Sequence, residues 1–142
     1  MKYHFKVHRE KNGYWAECIE LAGCLTQAEN QSELSNNMSE ALNLYLSEPE
    51  SSILLFPMPK KNIKAKNIVR VEVSPNVAFA VLLRQIRLKR KLTQKAMMDL
   101  LEITHLSNYQ RLENPRKTNP ELKTLSEIKK KLPELDFLKI LG

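Results

Sequence analysis

Ser107, Asn108, Gln110 and Arg111 stand together in a stretch whose spacing predicts a short helix, because Tyr109 and Leu112, three residues apart, would bury its other side. These residue types suit the reading of base edges. A guanidinium donates two bonds to guanine, and an Asn or Gln amide bonds adenine at two edges, each pairing discriminating by about 1–3 kcal/mol. His105 lies just before the set and Asn114, Arg116 and Lys117 just after it. Cations in that place contact phosphates, which positions a protein on a duplex without reading its sequence. Duplex DNA is the expected partner.

Positioning such a face requires short helices with brief connections, and the C-terminal half supplies the signals. Ser74-Pro75 offers a cap and a first helical residue. Phe79, Leu82, Leu83 and Ile86 form the expected buried stripe of the helix that follows, with Arg84, Arg87, Lys89, Arg90 and Lys91 on its outer side and end. Thr93 is expected to cap a second helix and Thr104 a third. Asn119-Pro120 opens a fourth that runs through Lys131, and Pro133 to Leu141 forms a fifth. This is an all-α bundle over residues 75–142.

The first half reads differently. Tyr3, Phe5 and Val7 alternate with Lys2, His4, Lys6 and His8, the pattern of a half-buried strand. Asn12-Gly13 predicts a two-residue type I′ turn, which would set Val7 opposite Cys18 and His8 opposite Glu17. Tyr14 to Leu21 is the returning strand and Gly23 to Ala28 a third. Asn30 and Glu33 resemble a capping box, followed at helical spacing by Leu34, Met38, Ala41, Leu42 and Tyr45. Pro49, Pro57 and Pro59 punctuate a loop over residues 47–67, and Ile68 to Val73 completes the sheet at its edge. Residues 1–74 are therefore expected to form a βββαβ domain, and the chain as a whole is α+β with two domains.

Charge divides along the same line. The chain of 142 residues carries a net +7, yet residues 1–50 hold four basic residues against eight glutamates. Residues 51–74 hold five against one, and residues 75–142 fourteen against seven. The basic excess of the second half attracts phosphate and releases counterions on binding. No charged leader precedes an apolar block and no apolar run reaches 18 residues, so a cytoplasmic protein without membrane contact is expected. Cys18 and Cys24 lack metal spacing and are expected to be reduced. His4 and His8 share a strand face with Glu17 near, but two such residues lie about 13 Å apart along a strand, too far for one zinc ion. There is no Ser-His-Asp order and, with three glycines in the chain, no phosphate-cradling loop. No cofactor, metal or catalysis is expected.

Thr93-Gln94 and Leu112-Glu113-Asn114, within residues 76–132, resemble the helix-turn-helix family of phage-repressor type. The resemblance implies that Gln94 touches a phosphate and that Arg116 and Lys117 hold the DNA backbone. It departs from the family at Glu102, where a Gly usually caps the second helix, and at Met98, where a small residue is usual. The interval from Thr93 to Glu113 is one residue longer than usual, so the register of the reading face is open by one position.

The hairpin from Asn12 to Glu17, then Leu21-Ala22-Gly23-Cys24 with Thr26-Gln27, then Ser39-Glu40-Ala41-Leu42, is similar to the HicB antitoxin family. The domain order and the run Tyr109 to Pro115 strengthen the likeness. It departs where relatives often carry Pro near Ile19 and Gly in place of Ala28. The resemblance implies a truncated ribonuclease-H-like fold for residues 1–74 and, as partner, a HicA-type toxin that cleaves messenger RNA. Such an antitoxin masks its toxin and represses the shared operon, usually as a homodimer or larger assembly on paired half-sites. The acidic first fifty residues suit a basic RNA-binding surface, with Trp15, Glu17 and Glu20 the expected contacts and Trp15 the anchor. Leu135, Phe137, Leu138 and Leu141 are expected either to join copies of the chain or to close the bundle. A nuclease would need several converging carboxylates, and no aspartate precedes Asp99. Two alternatives remain: a transcription regulator whose first domain senses a ligand, and a degenerate nuclease.

Overall fold

A computed structural model describes residues 1–48 and 52–142; Pro49 of the expected proline-bearing loop lies outside the described residues. The fold is α+β and forms two compact units. The first comprises Met1–Leu46, Phe56–Ser74 and Gly142, and the second Pro75–Leu141 with the described part of Ser47–Leu55.

In the first unit, β1 (Lys2–Glu10), β2 (Gly13–Cys18), β3 (Leu25–Ala28) and β4 (Ile68–Glu72) form an antiparallel sheet in the order β3-β2-β1-β4. Helix α1 (Gln31–Leu46) lies on one face. Its first turn is capped by Asn30, whose Oδ1 accepts from the Glu33 amide at 2.9 Å. Leu34, Met38, Leu42 and Leu46, at successive i+4 steps, bury one stripe with Tyr3, Phe5, Ala16, Cys18 and Val71 of the sheet. Period-2 alternation thus places the expected side chains inward, with one exception. His4, expected on the polar face, is buried because Glu20 folds over it.

The hairpin departs from expectation in register. Phe5 faces Cys18, Val7 faces Ala16, and His8 faces Trp15 rather than Glu17. The turn residues are Lys11 and Asn12, with Glu10 paired to Gly13. Gly13 is needed inside the strand instead. A Cβ there would stand 2.6 Å from the Ala28 carbonyl oxygen of β3, so only glycine permits the approach.

The second unit holds α2 (Pro75–Lys89), α3 (Gln94–Leu100), α4 (Leu106–Leu112), α5 (Leu122–Lys131) and α6 (Phe137–Leu141). Pro75 begins α2 as expected, and Thr93 caps α3, its side chain accepting from the Ala96 amide at 3.1 Å. Two other starts differ. His105, not Thr104, stands at the cap of α4 with no side-chain bond, and α5 begins after Glu121 rather than at Pro120. The connections after α2 and α3 close alike. Lys91 and Glu102 adopt φ of 57° and 58°, and each is followed by an amide that reaches back to Arg87 O and Met98 O respectively. These are Schellman closures without glycine.

Arg84 and Arg87, expected on the outer side of α2, are buried. The reason is Glu113, fully buried just after α4. Its carboxylate accepts two bonds from Arg87, at 2.6 and 2.9 Å, and one from the Tyr109 hydroxyl. Arg84 donates to the Glu113 backbone carbonyl at 3.1 Å. Burial and the Glu113 charge push the Tyr109 phenol pKa up, so it remains a donor. Leu135 also closes this core, leaving Leu138 and Leu141 exposed.

Candidate functional site

Helix α4 presents two sides. Tyr109 is fully buried and fixed by Glu113, which sets the rotation of the helix about its axis. Residues one turn apart on the opposite side then share a surface. Ser107, Gln110, Arg111, Asn114 and Lys117 line one open depression of about 240 Å³. Of these, Ser107, Arg111 and Lys117 are exposed, and Gln110 and Asn114 are half-buried. Gln110 donates to the Gln94 side chain at 3.2 Å, which ties the first residue of α3 to the exposed side of α4. The cluster offers donors of every kind needed at base edges and phosphates, with no carboxylate among its lining residues.

The remaining expected contacts fall around this depression. Asn108 and His105 are exposed but do not line it. Arg116 is exposed, and its amide donates to the Asn114 side chain at 3.0 Å, holding the turn after α4. The side chains at 107, 110, 111 and 114 thus converge on one surface.

On the sheet, the face away from α1 carries Trp15, Glu17 and Leu25. Trp15 stacks on His8 across the strands, ring centroids 4.0 Å apart and planes within 14°. Glu17 lies 3.4 Å from the other side of His8, at Nε2, and pairs in register with the exposed Leu25. Leu25 was not expected here; His8 was expected near Glu17, and the observed register also brings it to Trp15. Glu20 does not join them. It is buried, accepting from the His4 amide at 2.9 Å and from the Lys60 amide at 3.0 Å, and its second oxygen meets His4 Nδ1 at 2.8 Å. Burial alone would push its pKa up, but the His4 and Lys60 bonds prevail and hold it below the ordinary carboxylate range. Glu20 is therefore an internal anchor rather than the exposed contact expected beside Trp15 and Glu17.

Among the described residues, no group of three or more His, Cys, Asp or Glu is placed to hold a metal ion. No described helix is long and apolar enough to cross a membrane. No family model matches the chain. A UPF0150 protein from Helicobacter pylori is 38% identical over 56 residues, which cover 39% of this chain and 76% of that relative.

Proposed function

The chain belongs to the UPF0150 family, which is related to HicB-like antitoxins, and from that premise we propose an antitoxin that neutralises a HicA-type toxin and represses its own operon. In this reading the first unit is a truncated ribonuclease-H-like domain without catalytic groups, and the second is a helix-turn-helix that reads duplex DNA. The observation that carries the reading is the convergence of Ser107, Gln110, Arg111, Asn114 and Lys117 on one side of α4. Arg111 and Gln110 are the base-reading candidates, and Lys117 with Arg116 the phosphate contacts. Trp15, stacked on His8 beside Glu17 and Leu25, is the proposed anchor for the toxin, since large aromatic side chains dominate interface energetics. Leu138 and Leu141 are available to join two copies of the chain on paired half-sites.

The test separates the two activities. Replacing Asn108 and Arg111 together by Ala should abolish retardation of the DNA upstream of the gene. Rescue of growth in cells expressing the adjacent small open reading frame should persist. Loss of both activities in a folded double variant would sink the proposed division of labour. A second reading, a regulator with a ligand-sensing first unit, draws on an open cleft of about 590 Å³ lined by Val7, Arg9, Tyr14, Leu34, Met38 and Val69, among others. It predicts that no adjacent open reading frame co-purifies with the chain.

A further inference from the structure

Within the first unit, otherwise acidic, one segment concentrates positive charge. Lys60, Lys61, Lys64 and Lys66 fall within seven residues, and all four are exposed. Among the described residues none of the four is paired with a carboxylate, whereas Lys2 and Lys131 are. The segment has no helix or strand, yet it is fastened to the sheet at three points. The Tyr3 hydroxyl donates to the Pro57 carbonyl at 2.7 Å. The Lys60 amide donates to the buried Glu20 carboxylate at 3.0 Å. The Val7 amide donates to the Asn67 carbonyl at 2.9 Å, where Asn67 turns the chain into β4 with a φ of 60°. Every one of these fastenings uses main-chain atoms of the segment, so its lysine side chains remain directed to solvent.

We propose that Lys60, Lys61, Lys64 and Lys66 form a second phosphate-binding strip that grips the backbone of duplex DNA without reading its sequence. The proposal rests on the DNA-binding reading given above. A strip of seven residues spans at most about 24 Å when extended, which corresponds to about seven base pairs at 3.4 Å per step. Four cations over that length match a run of phosphates. They do not match the partner proposed for Trp15 and Glu17, a basic surface that they would repel. Lysine suits the task because its compact charge on a flexible stem holds phosphates without demanding a fixed geometry.

The experiment is a titration of the full-length chain against two probes at several salt concentrations. One probe is the DNA upstream of the gene; the other is a random-sequence duplex of equal length. Because each phosphate neutralised contributes about 0.9 to the slope of log K against log salt, changing all four lysines to Gln should lower that slope by about 3 to 4 on both probes. Changing them to Arg should restore it. Unchanged melting of the Gln variant shows that the exposed side chains were not needed for folding. An unchanged slope in the folded Gln variant would overturn the strip. R111A distinguishes this from the reading on which it rests: it should remove the preference for the upstream probe while leaving the lysine-dependent slope. If the wild-type chain binds neither duplex, both fall together.

Discussion

At the scale of single residues, two buried carboxylates organise the two units, and both are consumed by internal partners. Glu20 holds His4 and the Lys60 amide, and its pKa is depressed by those bonds against the cost of burial. A depressed folded-state pKa means stability that is present above the unfolded value, about 4.3 for Glu, and lost as pH falls through the folded value. Denaturant midpoints followed by Trp15 fluorescence should therefore decline as the solution is acidified below the ordinary carboxylate range. In E20Q that acid-dependent part of the decline should be reduced, on a lower overall stability. An identical acid profile in E20Q would contradict this role. Glu113 is the counterpart in the second unit, and its bonds to Arg87 and Tyr109 explain why Leu112-Glu113-Asn114 is more than a surface run.

At the scale of elements, close approach and handedness decide which residues are tolerated. Gly13 lies where the Ala28 carbonyl leaves no room for a Cβ, so G13A should destabilise the β2–β3 pairing by about 1–3 kcal/mol, the usual cost of overpacking. Urea denaturation monitored at Trp15, two residues away, reports it directly. Lys91 holds a left-handed conformation at the end of α2, which an L-residue adopts at a cost of about 1–2 kcal/mol. K91G should raise the thermal midpoint of the helical unit, the gain reduced by the greater freedom of glycine in the unfolded chain. A lower midpoint would mean that the Lys91 side chain contributes more than its backbone strain costs. Glu102 occupies the same conformation after α3 and bridges to Lys131 at 2.7 Å, so E102G trades one effect for the other and is the less direct test.

At the scale of the whole molecule, the chain divides into two compact units with chemically different cores. The first is aliphatic and aromatic between sheet and helix, while the second encloses an ion pair. Removing one partner of a buried pair strands the other's charge, at a cost of about 3–5 kcal/mol, a large part of the 5–15 kcal/mol that stabilises a typical domain. E113A should therefore unfold the helical unit at much lower denaturant, seen as an early loss of far-ultraviolet ellipticity. The chain's one tryptophan, Trp15, lies in the first unit, so its fluorescence transition should stay near its original midpoint. A single transition shifted equally by both probes would show that the units unfold as one.

Much of this was legible in local patterns. The alternation of β1, broken only where His4 is buried, the i+4 stripe of α1, the Asn30 and Thr93 caps and the Ser74-Pro75 start are short-range signals that appear in the structure. The hairpin illustrates the limit well. Its register differs by two residues from expectation, so every side chain keeps its face, because faces repeat every two residues. The directly paired partners all change, however: His8 lies opposite Trp15 and keeps Glu17 only as a diagonal neighbour at 3.4 Å. That choice belongs to β3, whose Ala28 carbonyl requires glycine at position 13 within the strand. Arg84 and Arg87 likewise read as solvent-facing because nothing nearby in sequence announces a buried carboxylate; Glu113, 26 residues beyond Arg87, draws them in. Glu20 read as a surface acid until His4 and Lys60, 16 and 40 residues away, enclosed it. Periodicity and capping are properties of a few adjacent residues, so the sequence alone determined which elements form and which faces they bury. Register and the burial of charge depend on partners distant along the chain, and only the tertiary structure decided them.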